Sequence, residues 1–325
     1  MTLTVTDEQW STSRDALRRA GDRFADLVGS TPAPDQVMAT ADWSVSATAT
    51  HLASITWLYT SLLDTGGPPT AIPGFDGRIR STNVDTVDTL NDMIMGQPLF
   101  AGTTARAAAE RVRSDIDYLL RTSERRDPSE PFTWLGGAQV PLAGLFGHLV
   151  NELLLHGLDV ARAVRMPWEV PSRDAGLFFD LLLVGVARNG YGHLLDGGGE
   201  PSDRRVAVEF RSPYTTPVTL VLRHGAVTAE EPGGAVDVRL RFDPAALNMM
   251  LFGRISTLRA VLGGKLFVRG PRPWLLPAFM RKVRVPNTAR TKALGPGRHR
   301  ALERSDQDGT RLPTTGPASE ASAAG

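Results

Sequence analysis

The chain has 325 residues, with 36 Lys+Arg against 35 Asp+Glu, a net charge of +1 and no cysteine. Its length suggests two domains, and its balanced charge argues against a general nucleic-acid binder. The lack of cysteine excludes disulfides, Cys-ligated zinc, iron–sulfur clusters and a protein thiol nucleophile, so sulfur chemistry here needs an external thiol.

Trp10, Leu17, Phe24, Leu27 and Val28, set among charges, predict an amphipathic helix over 7–28, ended by Pro32 and Pro34. Asp42-Trp43-Ser44 starts a second helix over 45–63. Gly66, Gly67, Pro68, Pro69, Pro73, Gly74 and Gly77 make 65–83 a long loop of the kind that covers a site. A third helix runs over 84–95, breaks at Gly96-Gln97-Pro98 and resumes over 103–124. After a loop at 127–139, a fourth helix spans 141–164, with Pro141 in its first turn and Pro167 beyond its end. These elements predict an up-and-down bundle with long crossings.

The texture then changes. One more apolar helix covers 174–195, and from Arg205 the alternation of Val206, Val208 and Phe210, then Val218, Leu220 and Leu222, predicts strands. Further strands fall at 226–229, 236–242 and 265–268, and Asp243 caps a short helix to Leu251. Helices over 255–262 and 273–280 complete an α+β domain with a small, mainly antiparallel sheet. From 286 onward the chain is rich in Arg, Ser, Gly and Ala, which reads as a disordered tail. The start of the chain carries Asp7 and Glu8 where a secretory signal would be basic, and no apolar run approaches the ~20 residues of a membrane span. The expectation is a cytoplasmic protein with neither nucleic acid nor membrane as partner.

The chemistry-bearing segment is GHLVNELLLHGLDVARA, 147–163. At about 100° per residue, His148, Glu152, His156 and Asp159 fall near about 0°, 40°, 80° and 20°, one narrow stripe on a Leu- and Val-rich helix. Burying such groups is costly unless they are paired or bind a metal. Glu152 and His156, at i and i+4, set an oxygen and a nitrogen donor on adjacent turns. His51 is the candidate third ligand, since Ile55, Leu58 and Leu62 share its face of the second helix. Taken alone, His51 reads more readily as a hydrogen-bonded core histidine than as a ligand. Two His and one Glu leave a position open for water or substrate, the composition of a catalytic zinc site. His148 suits a fourth ligand, a partner of Glu152 or a catalytic residue at the pocket mouth. Asp159 reads as a cofactor-site residue one step from the metal, accepting a ring N–H.

The pairing of DWSVSATATHLA (42–53) with GHLVNELLLHGLDVARAVRMPWEVP (147–171) resembles the mycothiol-dependent maleylpyruvate isomerase family, within the DinB-like four-helix metalloenzymes. The resemblance implies His51, Glu152 and His156 as ligands of Zn2+, or of another divalent metal, with mycothiol as co-substrate. It also implies a second domain similar to sterol carrier protein 2 (SCP2-like), since LFGRISTLRAVLGGKLFVRG (251–270) looks like that domain's Gly-Arg helix and Gly-Lys strand. The expected fold class is thus α+β: a DinB-like four-helix bundle over 1–171, an SCP2-like α+β domain over 172–285 and a tail over 286–325. The implied partners are a low-molecular-weight thiol and a small electrophile, the reaction being thiol transfer or addition–elimination isomerisation. Arg254, in the Gly-Arg motif, is the candidate catalytic fork for a substrate carboxylate, against the plainer alternative of an interdomain ion pair. A non-catalytic carrier of an apolar ligand and a metal-dependent hydrolase are the competing readings.

Overall fold

A computed structural model of the chain describes residues 4–65, 72, 74–196 and 204–285. The expected tail, 286–325, and part of the expected loop at 65–83 lie outside the described residues.

Helix α1 (Asp7–Gly29) starts in a capping box, where the Thr6 side chain accepts from the Gln9 amide and Gln9 answers to the Thr6 backbone. Helices α2 (Val45–Thr65), α5 (Ala105–Thr122) and α6 (Leu142–Val164) complete a bundle in which α1 and α2 each lie between α5 and α6. Helix α6 is apolar nearly all round, and it is buried accordingly. Two departures from expectation lie in the crossings. Helix α3 (Phe75–Ser81) occupies part of the expected loop because Phe75 and Ile79, one turn apart, both bury in the core. Helix α4 (Val87–Met95) follows it. The expected loop at 127–139 contains a small antiparallel hairpin, β1 (Pro131–Thr133) with β2 (Gln139–Pro141), too short to show a period in sequence.

Beyond α6, helix α7 (Ser172–Leu177) passes through a π-helical stretch (Phe178–Leu183) into α8 (Val184–Asn189), ending sooner than the expected 195. This run lies hard against α6: a Cβ on Gly147 would stand 2.7 Å from the Leu177 carbonyl oxygen, so only glycine permits the approach. The sheet comprises β3 (Val206–Ser212), β4 (Thr215–Arg223), β5 (Ala226–Glu230), β6 (Val238–Phe242) and β7 (Leu266–Arg269), in the order β5-β4-β3-β6-β7. Only the β3–β6 pairing is parallel. One face buries Val208, Phe210, Leu240 and Phe242 against Phe179 and Phe279, while the other carries Glu209, Arg239 and Arg241. Helices α9 (Pro244–Leu251), capped by Asp243 as expected, α10 (Thr257–Leu262) and α11 (Leu276–Lys282) flank it.

Polar pins join the helices to the sheet. Asp180, in the π-helical stretch, accepts from the Thr216 amide at 3.0 Å and from Gln9 Nε2 at 3.2 Å. Asn248 Nδ2 donates to Asn151 Oδ1 and to the Ala175 carbonyl, each at 2.9 Å. The mixed fold is as expected: a helix-rich N-terminal region and a C-terminal sheet region.

Candidate metal centre

Antiparallel packing of α2 against α6 sets His51 opposite Glu152 and His156. His51 Nε2 lies 3.5 Å from Glu152 Oε2, and His156 Nε2 lies 3.3 Å from the same oxygen. One donor atom from each of the three residues falls within 4.8 Å of the others. All three side chains are largely buried. These separations exceed a good hydrogen bond. The two imidazole–carboxylate separations are close to the roughly 3.4 Å edge of a tetrahedron of nitrogen and oxygen ligands with bonds of about 2.05 Å, and all three donors lie within 4.8 Å of one another. The Nδ1 atoms of both histidines are buried with no hydrogen-bond partner, the nearest carboxylate to His156 Nδ1 being Asp159 at 3.6 Å. The donor set fits a divalent metal with an open position.

The electrostatics favour the ligating forms of Glu152 and His51, and act the other way at His156. Burial pushes the Glu152 carboxyl up, but the imidazoles of His156 and His51 outweigh it and hold the group well below the usual carboxylate range. Burial pulls His51 below its ordinary value, favouring the neutral ring. At His156 burial also pulls down, yet the Asp159 and Glu152 carboxylates beside it prevail and raise it.

Around this triad the chain has built a shell that differs by side. Trp43 closes one flank, its ring 4.6 Å from that of His51 and 5.8 Å from that of His156. On another flank Asp159 Oδ2 faces His156 Nδ1 at 3.6 Å. Arg254, from the turn after α9, meets Asp159 with both arms of its fork, Nη2–Oδ2 at 2.6 Å and Nε–Oδ1 at 3.3 Å. Its remaining Nη1 donates to the Phe252 carbonyl at 2.8 Å. The guanidinium expected to meet a substrate carboxylate thus meets a carboxylate of its own chain, across the junction between α6 and the C-terminal region.

His148 sits one turn below Glu152, with Nε2 3.7 Å from Oε1. Its Nδ1 lies 2.9 Å from the Tyr59 hydroxyl. Burial, then the Glu152 charge, raises Tyr59 well above its ordinary value, so the phenol keeps its proton and donates to Nδ1. Burial also lowers His148, favouring its neutral ring. Sequence reading missed Tyr59 and Trp134, whose ring packs edge-on 5.0 Å from that of His148. The available signal is Tyr59 itself, a polar-tipped aromatic two turns after His51 on the buried side of α2. Gly157, beside His156, has a plain structural role: a Cβ there would stand 2.1 Å from the Trp168 ring, whose Nε1 donates to the Leu154 carbonyl at 2.9 Å.

Searches with family models and against curated proteins match nothing. Solved structures do match. The chain is similar to the crystal structure of the mycothiol-dependent maleylpyruvate isomerase, with 13% identity, 79% of this chain and 91% of that one covered, and a TM-score of 0.44. A histidine-to-alanine mutant of that isomerase matches at 12% identity, 79% and 91% coverage and a TM-score of 0.43. Apo sterol carrier protein 2 from Yarrowia lipolytica matches at 17% identity over 33% of this chain and 94% of its own, with a TM-score of 0.21.

Proposed function

We propose that the chain is a zinc enzyme that takes mycothiol as co-substrate and either transfers it to an electrophilic small molecule or uses it for addition–elimination isomerisation. The observation that carries the reading is the convergence of His51, Glu152 and His156 at metal-ligand spacing in a buried site. The motif resemblance of 42–53 and 147–171 supports mycothiol as the thiol, and the lack of cysteine is consistent with sulfur arriving from outside.

When bound, the metal would lower the pKa of a coordinated thiol so that the nucleophilic form exists near neutral pH. Everything else falls to the protein. His51 and His156 supply nitrogen donors and Glu152 an anionic oxygen. Asp159 is the positioning residue for the His156 ring, since its carboxylate faces Nδ1 and favours a proton there, leaving Nε2 as the donor. Arg254 holds Asp159 by two hydrogen bonds and sets a cation at the rim, where a carboxylate on the electrophile would compete for the same fork. His148, hydrogen-bonded to Tyr59 at 2.9 Å, lies beneath Glu152 with its Nε2 3.7 Å from Oε1. In transfer the thiol adds across an activated double bond: the C–S bond replaces the π bond, the thiol proton ends on the neighbouring carbon, and the adduct is the product. In isomerisation the same addition leaves a single bond that rotates, after which the C–S bond breaks and the proton is given back, restoring the double bond and the free thiol.

Cobalt-loaded protein titrated with mycothiol tests this reading. A sulfur-to-cobalt charge-transfer band that saturates with thiol is expected, and the His156→Ala variant should lack it. No band at saturating thiol on fully loaded protein would overturn it.

A further inference from the structure

The segment 244–285 carries eight Lys/Arg and no Asp/Glu, in a chain whose totals nearly cancel. Within it, α10 is amphipathic in the inverted sense: Ala260 is its buried residue, while Leu258, Val261 and Leu262, at i, i+3 and i+4, point outward. Leu258 is 67% exposed and Leu262 77%. The turn after α10 brings Phe267, 49% exposed, to the same tip, for a Cβ on Gly264 would touch its ring at 3.7 Å. Register explains the exposure: Phe267 pairs with Arg241 and shares the outer sheet face with Arg239 and Arg269, while Leu266 and Val268 pair with core residues. Exposed apolar groups clustered at one tip are unusual enough to mark an interaction site.

We propose that this tip, with Leu258, Leu262 and Phe267 flanked in sequence by the exposed Arg259 and Arg269, seats on the surface of an anionic lipid bilayer. The composition is that of an interfacial element, with large apolar side chains reaching the acyl boundary and cations at headgroup level. The charge selects the occupant. The residues beyond 285 hold six Lys/Arg against four Asp/Glu, so they do not complement the patch, and a second copy would face it with the same basic segment. No helix of the described residues is long and apolar enough to cross a membrane, which leaves lying on one as a separate matter. The inference stands independently of the metal reading.

Flotation of the full chain with extruded vesicles tests it. Vesicles containing phosphatidylglycerol should carry the protein at low salt, and vesicles of phosphatidylcholine alone should not. Raising salt should release it. Replacing one basic residue, Arg259→Glu or Arg269→Glu, should lower the partition coefficient by roughly fivefold or more. The double variant Leu262→Glu/Phe267→Glu should abolish flotation while its far-ultraviolet circular dichroism matches that of the parent. No flotation with the anionic vesicles, or flotation indifferent to these substitutions, would overturn the proposal. So would a concentration-dependent dimer, seen by sedimentation and broken by Leu262→Glu, in protein that ignores vesicles; the tip would then belong to self-association.

Discussion

Helix α6 and the α10–β7 tip break the same rule in opposite directions. Along α6, ionisable side chains lie inside: Glu152, His156, His148 and Asp159 are all largely buried among Leu and Val. At the tip, large apolar side chains lie outside, among arginines and lysine. Buried polar groups and exposed apolar clusters are the informative departures from ordinary burial, because each costs free energy that packing alone does not return. The two regions answer that cost differently. On α6 the groups answer one another, through imidazole–carboxylate and guanidinium–carboxylate contacts. At the tip Lys265 has a carboxylate partner, its Nζ 3.5 Å from Asp243 Oδ2, but Leu258, Leu262 and Phe267 stay exposed, and their compensation must come from outside.

The comparison is broken most severely at the proposed metal triad of His51, Glu152 and His156. His156→Ala should lower metal affinity by more than about 100-fold, since even groups one step behind a ligand typically cost 10–100-fold. Bound zinc after dialysis, measured by elemental analysis, should fall from about one per chain to a small fraction, with the helical circular dichroism retained. Full occupancy in that variant would remove His156 from the ligand set. Next in size is Asp159→Asn, which keeps the shape but removes the charge facing His156 Nδ1 and holding Arg254. Metal affinity should weaken roughly 10–100-fold in competition with a chelator. A change below about twofold would reduce Asp159 to a partner of Arg254 alone.

These two sites also show what sequence can and cannot reveal. The triad is legible because helix geometry puts Glu152 and His156 on adjacent turns whatever the tertiary fold. His51 is legible only in part: its face is set by Ile55, Leu58 and Leu62, but its partner depends on α2 lying antiparallel to α6. Arg254 shows the boundary plainly. Its neighbour Asp159 is 95 residues away, so no local pattern pairs them. Tyr59 was hidden for the same reason, as its partner His148 is on another helix. Helix α3 was masked by its glycines and prolines, although Phe75 and Ile79 carry the i, i+4 spacing that buries it. The π-helical stretch has no period of its own to read, and it is set by the tight contact of the α7–α8 run with α6.

Asp180 extends the comparison to the junction of the two regions, where a buried carboxyl has neutral hydrogen-bond partners and only a weak offset from the Arg188 charge. Burial, partly offset by hydrogen bonds from Thr216 and Gln9, raises it from 3.8 to about 6. The folded state therefore favours the protonated form. Its contribution to stability is fully present below about pH 4 and is lost as pH rises through about 6. Relative to Asp180→Asn, the parent should gain about 1 kcal/mol between pH 8 and pH 5, by chemical denaturation at each pH. A difference between the two proteins that does not vary with pH would mean that Asp180 is ionised throughout and that its hydrogen bonds outweigh its burial.

The smallest expected effect is the sharpest test of the contrast. Leu262→Glu places a charge on a side chain that touches little, so stability should change by no more than about 0.5 kcal/mol, a shift of roughly 1–2 °C in Tm. The same kind of change on the stripe of α6 would disturb groups that depend on one another. At the tip there is nothing of that sort to disturb, and the segment already has a positive excess that a carboxylate relieves. Destabilisation by 2 kcal/mol or more would show Leu262 packed against some part of the chain. The tip would then be an ordinary buried surface, satisfied internally as α6 is, and the opposition between the two regions would disappear. Near-neutrality in melting together with lost vesicle binding would instead separate folding from docking in one residue, because the side chain would matter only when the partner is present.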